Sequence, residues 1–472
     1  MLSVAHLPVL RLNAQGKRQM DWSALMGLII PMFFITSLQM VLNLTDTWFV
    51  GRISTLALSA VGASYYLVMM VFLLLGGVGL GIQTLVAQAE GAKQSELALH
   101  WVWCGLWTAL ATTPLFLGIA QAGPAILGVL HLSPEVTHLA VNYWIPRMWG
   151  GSLSVLLIVL TSYFNGLGRP KYTFIIMTTV VVSNIVFNAW FVFKLGHGIA
   201  GAAEGTSLAL GVGVLLAFWF FWKDSLTTKV RQHNYWRPSW AGVRQVLALG
   251  IPTGLFPAMD VAGLSLYQIM QVTVSPVDGA ATQILVMLTS IAYMPAIGIS
   301  LAGTTLVGQS VGAGDIAWAR YCARIIIVMA MAYMIMVGVG LFFLRGLVVP
   351  WFLTTADSNS DVVIALTMHL LVIAAFYQVF DALNLAASFC LRGAGDVRWP
   401  TVILLVLSWG VFLPLCHMLT FKPDQGWVHF LPQWGLGAVG GVYALFVYTA
   451  GLGILLGLRW FSSAWEKKAK LV

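Results

Sequence analysis

The feature that most constrains this chain is a residue pattern that occurs twice, about half a chain length apart. Residues 84–92 and residues 305–313 carry the same Thr, Leu, Val, Gln, Gly and Ala at equivalent positions, separated by 221 residues. Pro31 and Pro252 show the same separation. A repeat period near half the chain length predicts two halves of similar structure.

The composition places the repeated halves in a membrane. Of 472 residues, 59% are hydrophobic and 8% are charged, whereas a soluble domain carries about 25% charged residues. Apolar runs of about 20 residues can cross a bilayer as helices. We therefore predict an all-α, polytopic membrane protein with twelve transmembrane helices in two pseudo-symmetric six-helix lobes. The predicted spans are 22–50, 56–88, 97–122, 136–165, 172–195, 199–222, 241–273, 279–310, 320–345, 361–391, 399–420 and 435–460.

The boundary between the halves is a basic, polar segment. We predict an amino-terminal lobe at 1–222, a cytoplasmic linker at 223–240 and a carboxy-terminal lobe at 241–472. Six spans per half return the chain to its starting side, so the halves are expected to be parallel repeats. Duplicated apolar halves with a site between them are typical of secondary transporters.

The positions of Lys and Arg predict the orientation. Cytoplasmic segments of membrane proteins are enriched in these residues. With the amino terminus inside, nearly all of them fall on the inner side, which predicts that both termini are cytoplasmic. The net charge of +8 is then a topology signal, and no nucleic-acid partner is expected. The residues assigned to the outer side are Arg52, Arg147, Lys194, Arg345 and Lys422.

Polar side chains recur at helical spacing in the first half. Gln39, Asn43 and Asp46 share one face of span 1, because residues three and four apart are neighbours on a helix. A charged carboxylate at a helix centre costs about 2.5–3.5 kcal/mol on insertion scales. Asp46 therefore either lines a water-filled cavity or lies at the solvated outer end. Glu204 likewise lies either within the membrane or at the outer mouth.

The second half has acidic positions of its own. Asp260 in span 7 follows two prolines, Pro252 and Pro257, which we expect to interrupt the helix. Asp381 lies about 16 Å inside the cytoplasmic end of span 10, at 1.5 Å per residue, and is therefore predicted to face a cavity. The polar stripe of span 10 comprises Tyr377, Asp381, Asn384 and Ser388.

Several classes of chemistry have no motif in this sequence. There is no Walker A motif, no HExxH and no Cys/His cluster, and the four cysteines are scattered singly. We therefore expect neither an enzyme nor a cofactor. Transport would have to be driven by an ion gradient.

The motifs taken together resemble the multidrug and toxic compound extrusion (MATE) family over all twelve spans. In the first half the resemblance is carried by Asn43-Leu44-Thr45-Asp46-Thr47 with Gly51, Val86-Ala87-Gln88-x-x-Gly91, Asn184-x-x-x-Asn188 and Gly201-Ala202-Ala203-x-x-Thr206. In the second half, motifs similar to the NorM-type bacterial branch are Tyr377-Gln378-x-x-Asp381-Ala382 and Leu391-Arg392-Gly393-x-Gly395-Asp396.

The resemblance implies two V-shaped lobes in the bacterial inner membrane, acting as a monomer. It implies export of amphipathic organic cations in exchange for Na⁺ or H⁺. The family's span-1 acid maps to Asp46, surrounded by Asn184, Asn188 and Thr206. The NorM-type cation site, a possible Na⁺ site, maps to Asp260, Tyr377 and Asp381. Asn43 and Gln283 complete the predicted cation-coupling and substrate-binding residues.

Two positions depart from the family pattern. Position 188 is Asn where some members have an acid, and position 260 is Asp where the branch often has Glu. An alternative function is a lipid-linked oligosaccharide flippase of a related two-lobed fold. A pyrophosphate cavity would favour several Arg or Lys residues, and almost none is predicted inside the spans. A receptor or scaffold without transport is a further alternative.

Overall fold

A computed structural model describes residues 7–129, 133–227, 235–352 and 360–469 of the chain. It contains eleven helices that are long and apolar enough to span a membrane, and twelve spans when one bent helix pair is counted as a single span. The predicted fold class is confirmed. Part of the predicted linker, 228–234, lies outside the described residues.

We number the spans 1–12. The bounds are span 1, Trp22–Gly51; span 2, Thr55–Gly91; span 3, Ser95–Ala111 and Thr113–Gln121; span 4, Pro134–Trp149 and Gly151–Gly166; span 5, Pro170–Asn188 continued by the π-helix Ala189–Lys194; span 6, Gly198–Thr227. The second half has span 7, Trp240–Val274; span 8, Pro276–Gly312; span 9, Ile316–Val348 continued by the 3-10 turn Val349–Phe352; span 10, Ser360–Gly393; span 11, Arg398–Leu405, the π-helix Val406–Phe412 and Leu413–Thr420; span 12, Gly437–Phe461. Smaller elements are an antiparallel hairpin of Leu10–Leu12 and Arg18–Met20, a short helix Gly123–Gly128 and a 3-10 turn Glu466–Lys468.

Side-chain caps fix where several spans begin. The carboxylate or hydroxyl of the residue before the helix accepts a backbone N–H of the first turn, which would otherwise lack a partner. Ser54 and Ser275, which cap spans 2 and 8, are again 221 residues apart. The other caps of this kind include Asp21, Ser239 and Asp315.

Two spans differ in shape from the sequence prediction. Span 7 is one continuous helix through Pro252 and Pro257, so the predicted interruption is wrong. A proline leaves the carbonyl four residues earlier without its helical partner, and neighbouring helices can hold the backbone around such a position. Span 11 packs against span 7 here, and its Thr401 hydroxyl donates to the Pro252 carbonyl at 2.9 Å. Span 4, predicted as the single span 136–165, bends by 43° at Gly150.

The two lobes exchange half a helix each. The core of the second half includes Leu25, Leu28 and Met32 from the beginning of span 1. The core of the first half includes Val246 and Leu249 from the beginning of span 7. Spans 1 and 7 therefore cross from one lobe to the other, and the lobes are tied together on the side where these two spans begin. We refer to this side as the termini side and to the opposite side as the far side.

The crossings depend on glycine. A Cβ added to Gly77 of span 2 would lie 2.3 Å from the backbone of Gly254 in span 7. A Cβ added to Gly298 of span 8 would lie 2.6 Å from the backbone of Met32 and Phe33 in span 1. These two contacts are equivalent under the 221-residue repeat. The glycine-rich end of span 2 is thus a site of close helix packing.

The repeated segment itself forms the contact between spans 2 and 8. The Gln88 amide donates to the Gly393 carbonyl at 3.1 Å, and its repeat partner Gln309 donates to the Gly166 carbonyl at 2.8 Å. Each half thereby binds the last turn of the fourth span of the other half. Two threonine hydroxyl groups repeat the arrangement. Thr84 donates to the Arg392 carbonyl at 3.0 Å, and Thr305 donates to the Asn165 carbonyl at 2.8 Å.

Ion pairs also occur at equivalent places, with their signs exchanged. In the first half, Arg169 Nη1 lies 2.8 Å from Asp224 Oδ1, joining the loop after span 4 to the end of span 6. In the second half, Asp396 lies on the corresponding loop and accepts from Arg459 Nε at the end of span 12, at 2.8 Å. The symmetry therefore preserves the position of the contact and not the residue types.

The lobes separate toward the far side. Gly62 and Gln283, which are repeat partners in the far halves of spans 2 and 8, are both exposed. At 100° per residue they lie within about 20° of Gly91 and Gly312, the glycines that contact the opposite span at the termini side. The same two faces are in contact at the termini side and exposed at the far side. The result is a cleft that opens toward the far side.

The close contact of spans 2 and 8 gives a stability prediction. A Cβ on Gly91 would lie 2.0 Å from the Gln309 carbonyl oxygen, so Gly91→Ala must push the spans apart. We expect a loss of about 1–3 kcal/mol, measured as a lower melting temperature of the purified protein in detergent.

The matched control is Gly62→Ala on the same span, where nothing lies within 4 Å of the added Cβ. Alanine favours a helix over glycine by about 0.5–1 kcal/mol, so this variant should be at least as stable as the wild type. Equal melting temperatures for the two variants would contradict the proposed contact.

Candidate ion and substrate site

Span 1 exposes two opposite faces of different chemistry. Gln39, Asn43 and Thr47 are exposed on one side, with Asp46 half-buried among them. Beyond its first turn, the large apolar side chains exposed on span 1 lie on the other side, roughly 100–180° from Asn43 at 100° per residue. An apolar face suits lipid, and a polar face suits a water-filled cleft. The exposed apolar residues are Ile30, Phe34, Val41, Leu44 and Trp48.

Asp46 lies at the centre of a hydrogen-bond network between spans 1, 5 and 6. The amides of Asn184 and Asn188 donate to Asp46 Oδ1 at 2.9 and 2.7 Å. The Thr206 hydroxyl lies 3.0 Å from Asp46 Oδ2. The two asparagines are one helical turn apart, so both reach the same carboxylate. Of the two placements considered for Asp46, the structure supports the one inside the bundle.

Glu204 lies next to this network without joining it. Its carboxylate is 2.8 Å from His197 Nδ1, a residue of the loop between spans 5 and 6. Both side chains are partly exposed. Of the two placements considered, Glu204 therefore belongs to the far-side mouth of the first lobe.

Arg147, which was assigned to the outer side, lies in the first helix of span 4, and its Nε and Nη1 atoms are buried. Its guanidinium carbon is 4.8 Å from the centre of the Phe72 ring, and its side chain forms a hydrogen bond with Tyr143. Its charge acts on Asp46.

Asp260 is oriented by a tyrosine of span 12. The Tyr448 hydroxyl donates to Asp260 Oδ1 at 2.6 Å. The Tyr448 ring is stacked on Phe412 of span 11, with ring centres 4.9 Å apart. This packing fixes the hydroxyl, since a tyrosine has few rotatable bonds. The sequence analysis missed Tyr448, because span 12 has no polar stripe to distinguish it.

Asp381 faces Asp260 from span 10. The two carboxylates are near enough for their charges to repel, and Tyr293 of span 8 lies within the field of both. The nearest hydrogen-bond donor to Asp381 is Asn384, at 3.5 Å from Oδ1. The hydrogen bonding of the Asp381 carboxylate is therefore weak. Tyr377, one turn away, is buried in the core of the second lobe.

The two remaining predicted residues do not join either cluster. Asn43 and Gln283 are exposed, and within the described ranges their side chains make no hydrogen bond. Both lie on cleft-facing surfaces, Asn43 beside Asp46 and Gln283 on span 8.

The acidic residues do not form a multi-ligand metal centre. Among the described residues, no group of three or more His, Cys, Asp or Glu side chains is placed to hold a metal. Any ion at Asp260 and Asp381 would have two carboxylates and would take its other ligands from hydroxyl, carbonyl or water oxygens.

Known proteins of the same length and fold match this chain. The probable multidrug resistance protein NorM of Mesorhizobium japonicum is 29% identical over 452 residues, 93% of each chain. The multidrug resistance protein MdtK of Photorhabdus laumondii is 24% identical over 425 residues, 86% of this chain and 91% of that protein.

Solved structures agree with the fold. A crystal structure of MATE in complex with MaL6 superposes with a TM-score of 0.83 at 21% identity, covering 94% of this chain and 97% of that one. The eukaryotic MATE transporter AtDTX14 superposes with a TM-score of 0.82 at 21% identity, covering 95% and 97%. The MatE family profile matches residues 31–190 and 263–418, which is more than half of the chain and includes both lobes. By this match and by its relatives, the chain belongs to the MatE family, in the bacterial NorM-type branch.

Proposed function

We propose that this protein is a secondary active multidrug efflux antiporter that exports amphipathic organic cations in exchange for Na⁺ or H⁺. The observation that carries the proposal is the pair Asp260 and Asp381, two carboxylates that repel one another inside an apolar lobe. The printed names of the relatives, multidrug resistance proteins, support the substrate class.

The acidic pair provides a reason for exchange. Two like charges at short range in a medium of low dielectric constant are unfavourable. One cation bound between them relieves the repulsion, whether it is a proton, a Na⁺ ion or an organic cation. A second cation gains much less, so ion and cargo compete for the same charges. Entry of the ion releases the cargo.

The Asp46 network has a different character. Its carboxylate already accepts from three side chains, Asn184, Asn188 and Thr206. A carboxylate satisfied in this way loses less when no cation is bound. We assign ion coupling to the second lobe and a substrate-facing role to the first lobe.

One ion supplies enough free energy for export. A charge crossing 100 mV gains about 2.3 kcal/mol, and one pH unit adds about 1.4 kcal/mol. Together these support a substrate gradient of roughly ten- to several-hundred-fold, because each 1.4 kcal/mol is a factor of ten. No enzymatic step is required.

The termini side is proposed to face the cytoplasm. The amino-terminal hairpin is held against span 9 by Arg18 and Asp315, 2.5 Å apart. The segment after span 12 is held there by an ion pair between Arg320 and Glu466. Both terminal segments thus lie on one side, where the positive-inside rule places them in the cytoplasm. We propose a monomer in the bacterial inner membrane, whose partners are the bilayer and small organic cations.

The first test is charge removal at the pair. Asp381→Asn should reduce ion-driven dye efflux at least tenfold, because one of the two competing charges is lost while the side chain keeps its size. Efflux is measured in cells that produce equal amounts of each variant. The control is Asp361→Asn, which changes an exposed acid at the start of the same span. Normal efflux by the Asp381→Asn variant would refute the coupling site.

The second test separates orientation from charge. Tyr448→Phe removes the hydroxyl that donates to Asp260, and a hydrogen bond to a charged group contributes about 1.5–3 kcal/mol. We expect the ion concentration that gives half-maximal efflux to change about tenfold, with the maximal rate less affected. Tyr443 is an exposed tyrosine on the same span, so Tyr443→Phe should leave the ion concentration for half-maximal efflux unchanged. Equal values for both variants would remove Tyr448 from the site.

The third test identifies the ion. Proteoliposomes containing the purified protein are given a pH gradient in one experiment and a Na⁺ gradient in another, and ethidium movement is followed by fluorescence. An antiporter responds to at least one gradient. Failure to respond to either would contradict antiport and favour the lipid-linked oligosaccharide flippase, the alternative function.

A further inference from the structure

The region that joins the two lobes carries exposed cations beside exposed tryptophans. Lys223 Nζ, near the end of span 6, is 4.0 Å from the centre of the Trp219 ring. The Arg237 guanidinium carbon, just before span 7, is 5.4 Å from the centre of the Trp236 ring. A cation over an indole ring is attracted by the electrons of the ring. We refer to these four residues and the exposed Trp240 as the linker surface.

The linker residues before span 7 are held against span 3. The indole N–H of Trp107 donates to the Trp236 carbonyl at 2.9 Å. His100, two turns earlier on span 3, has its Nδ1 atom 3.2 Å from the Tyr235 carbonyl oxygen and its Nε2 atom 3.3 Å from the Ser239 hydroxyl. These contacts give the linker a defined position at the termini side.

Span 3 also brings the linker next to the end of span 6. Trp103 lies one turn before Trp107 and therefore on the same face of span 3. Its ring contacts Phe218 and Phe221 of span 6, with ring centres 6.2 and 6.0 Å apart. One face of span 3 thus contacts span 6 and binds Trp236. The two cation–tryptophan pairs lie on neighbouring elements.

The cations at this place are not taken up by ion pairs of the described residues. Lys223 and Arg237 are exposed and take part in none of those ion pairs. The acid next to Lys223 in sequence, Asp224, is bound to Arg169 at 2.8 Å. Arg244 of span 7 adds a third exposed cation. The linker surface therefore presents positive charge that an anionic ligand can approach.

The tryptophans indicate that this ligand is a lipid. Trp240, the first residue of span 7, is 80% exposed, and Trp222 of span 6 is 48% exposed. Exposed indole rings at the ends of spans are typical of the boundary between lipid headgroups and acyl chains. Basic residues beside the ends of spans attract anionic lipids. Positive charge next to apolar rings suits a molecule with an anionic headgroup and hydrocarbon chains.

We propose that the linker surface is a binding site for an anionic phospholipid. The lipid phosphate contacts Lys223 and Arg237, and its acyl chains lie against the exposed rings. The planar guanidinium presents paired N–H donors that match phosphate oxygens. The site lies outside the cleft and outside both acidic groups, so it goes beyond the proposed efflux function.

The proposal is tested by native mass spectrometry of the purified full-length protein in detergent, which measures the lipid bound at a series of lipid concentrations. Dioleoylphosphatidylglycerol is the anionic probe, and dioleoylphosphatidylcholine, which has the same acyl chains and no net charge, is the reference. The double variant of Lys223→Gln with Arg237→Gln should lose about tenfold or more of its affinity for the anionic lipid and keep its affinity for the reference lipid within about twofold.

A second variant tests the position of the linker without changing any charge. Trp107→Phe removes the hydrogen bond to the Trp236 carbonyl, so it should weaken binding of the anionic lipid several-fold. Glycerol 3-phosphate carries the phosphate without acyl chains and should not displace the lipid. Displacement by an equal concentration of glycerol 3-phosphate would overturn the assignment to a lipid, because the site would then bind phosphate alone.

The matched control is the double variant of Arg11→Gln with Lys17→Gln, which removes the same net charge from exposed positions of the amino-terminal hairpin on the same side. It should bind the anionic lipid like the wild type. An equal loss in both double variants would overturn the proposal, because binding would then follow net charge. Unchanged binding in the linker double variant or in Trp107→Phe would overturn it as well. No dye or ion gradient is used, so failure of the proposed efflux function would leave this result intact.

Discussion

Spans 2 and 8 approach so closely that they hold the two lobes together on one side of the molecule. Gly91 lies against the Gln309 carbonyl and Gly312 lies against the Gln88 carbonyl, each leaving no room for a Cβ. At that distance the two glutamines reach the last turns of spans 10 and 4 in the opposite lobes. The termini side is thereby held closed, and the cleft on the far side follows from it.

The acidic groups of the two lobes differ in how many hydrogen-bond donors surround them. In the first lobe, Asp46 is surrounded by donors. In the second lobe, Asp260 has one short bond from Tyr448 and Asp381 has one long contact with Asn384. A satisfied carboxylate is stable without a cation, whereas a repelling pair gains from binding one. The symmetric backbone therefore supports asymmetric chemistry, as the sign-exchanged ion pairs at Asp224 and Asp396 also illustrate.

The sequence was informative where a pattern repeats at a fixed spacing. Asn184 and Asn188 could be assigned to one site because they are one turn apart and match a family motif. Tyr448 could not be found in this way, since it is a single hydroxyl in an apolar span whose target lies 188 residues earlier. The neighbours of Arg147 could not be predicted, because a single charge in an apolar span does not show which helices surround it. The helix break expected at Pro252 does not occur, because neighbouring helices can hold the backbone around a proline.

Apolar length and residue spacing are local properties of the chain, so the residues alone were enough to infer the fold class, the number of spans, the repeat and the family. Which side chains of different spans meet depends on the tertiary structure. Packing brought Asp260 together with Tyr448 and Asp381, and it placed the first halves of spans 1 and 7 in the opposite lobes. These outcomes depend on how helices that are far apart in sequence pack against one another. A local residue pattern carries no information about that packing.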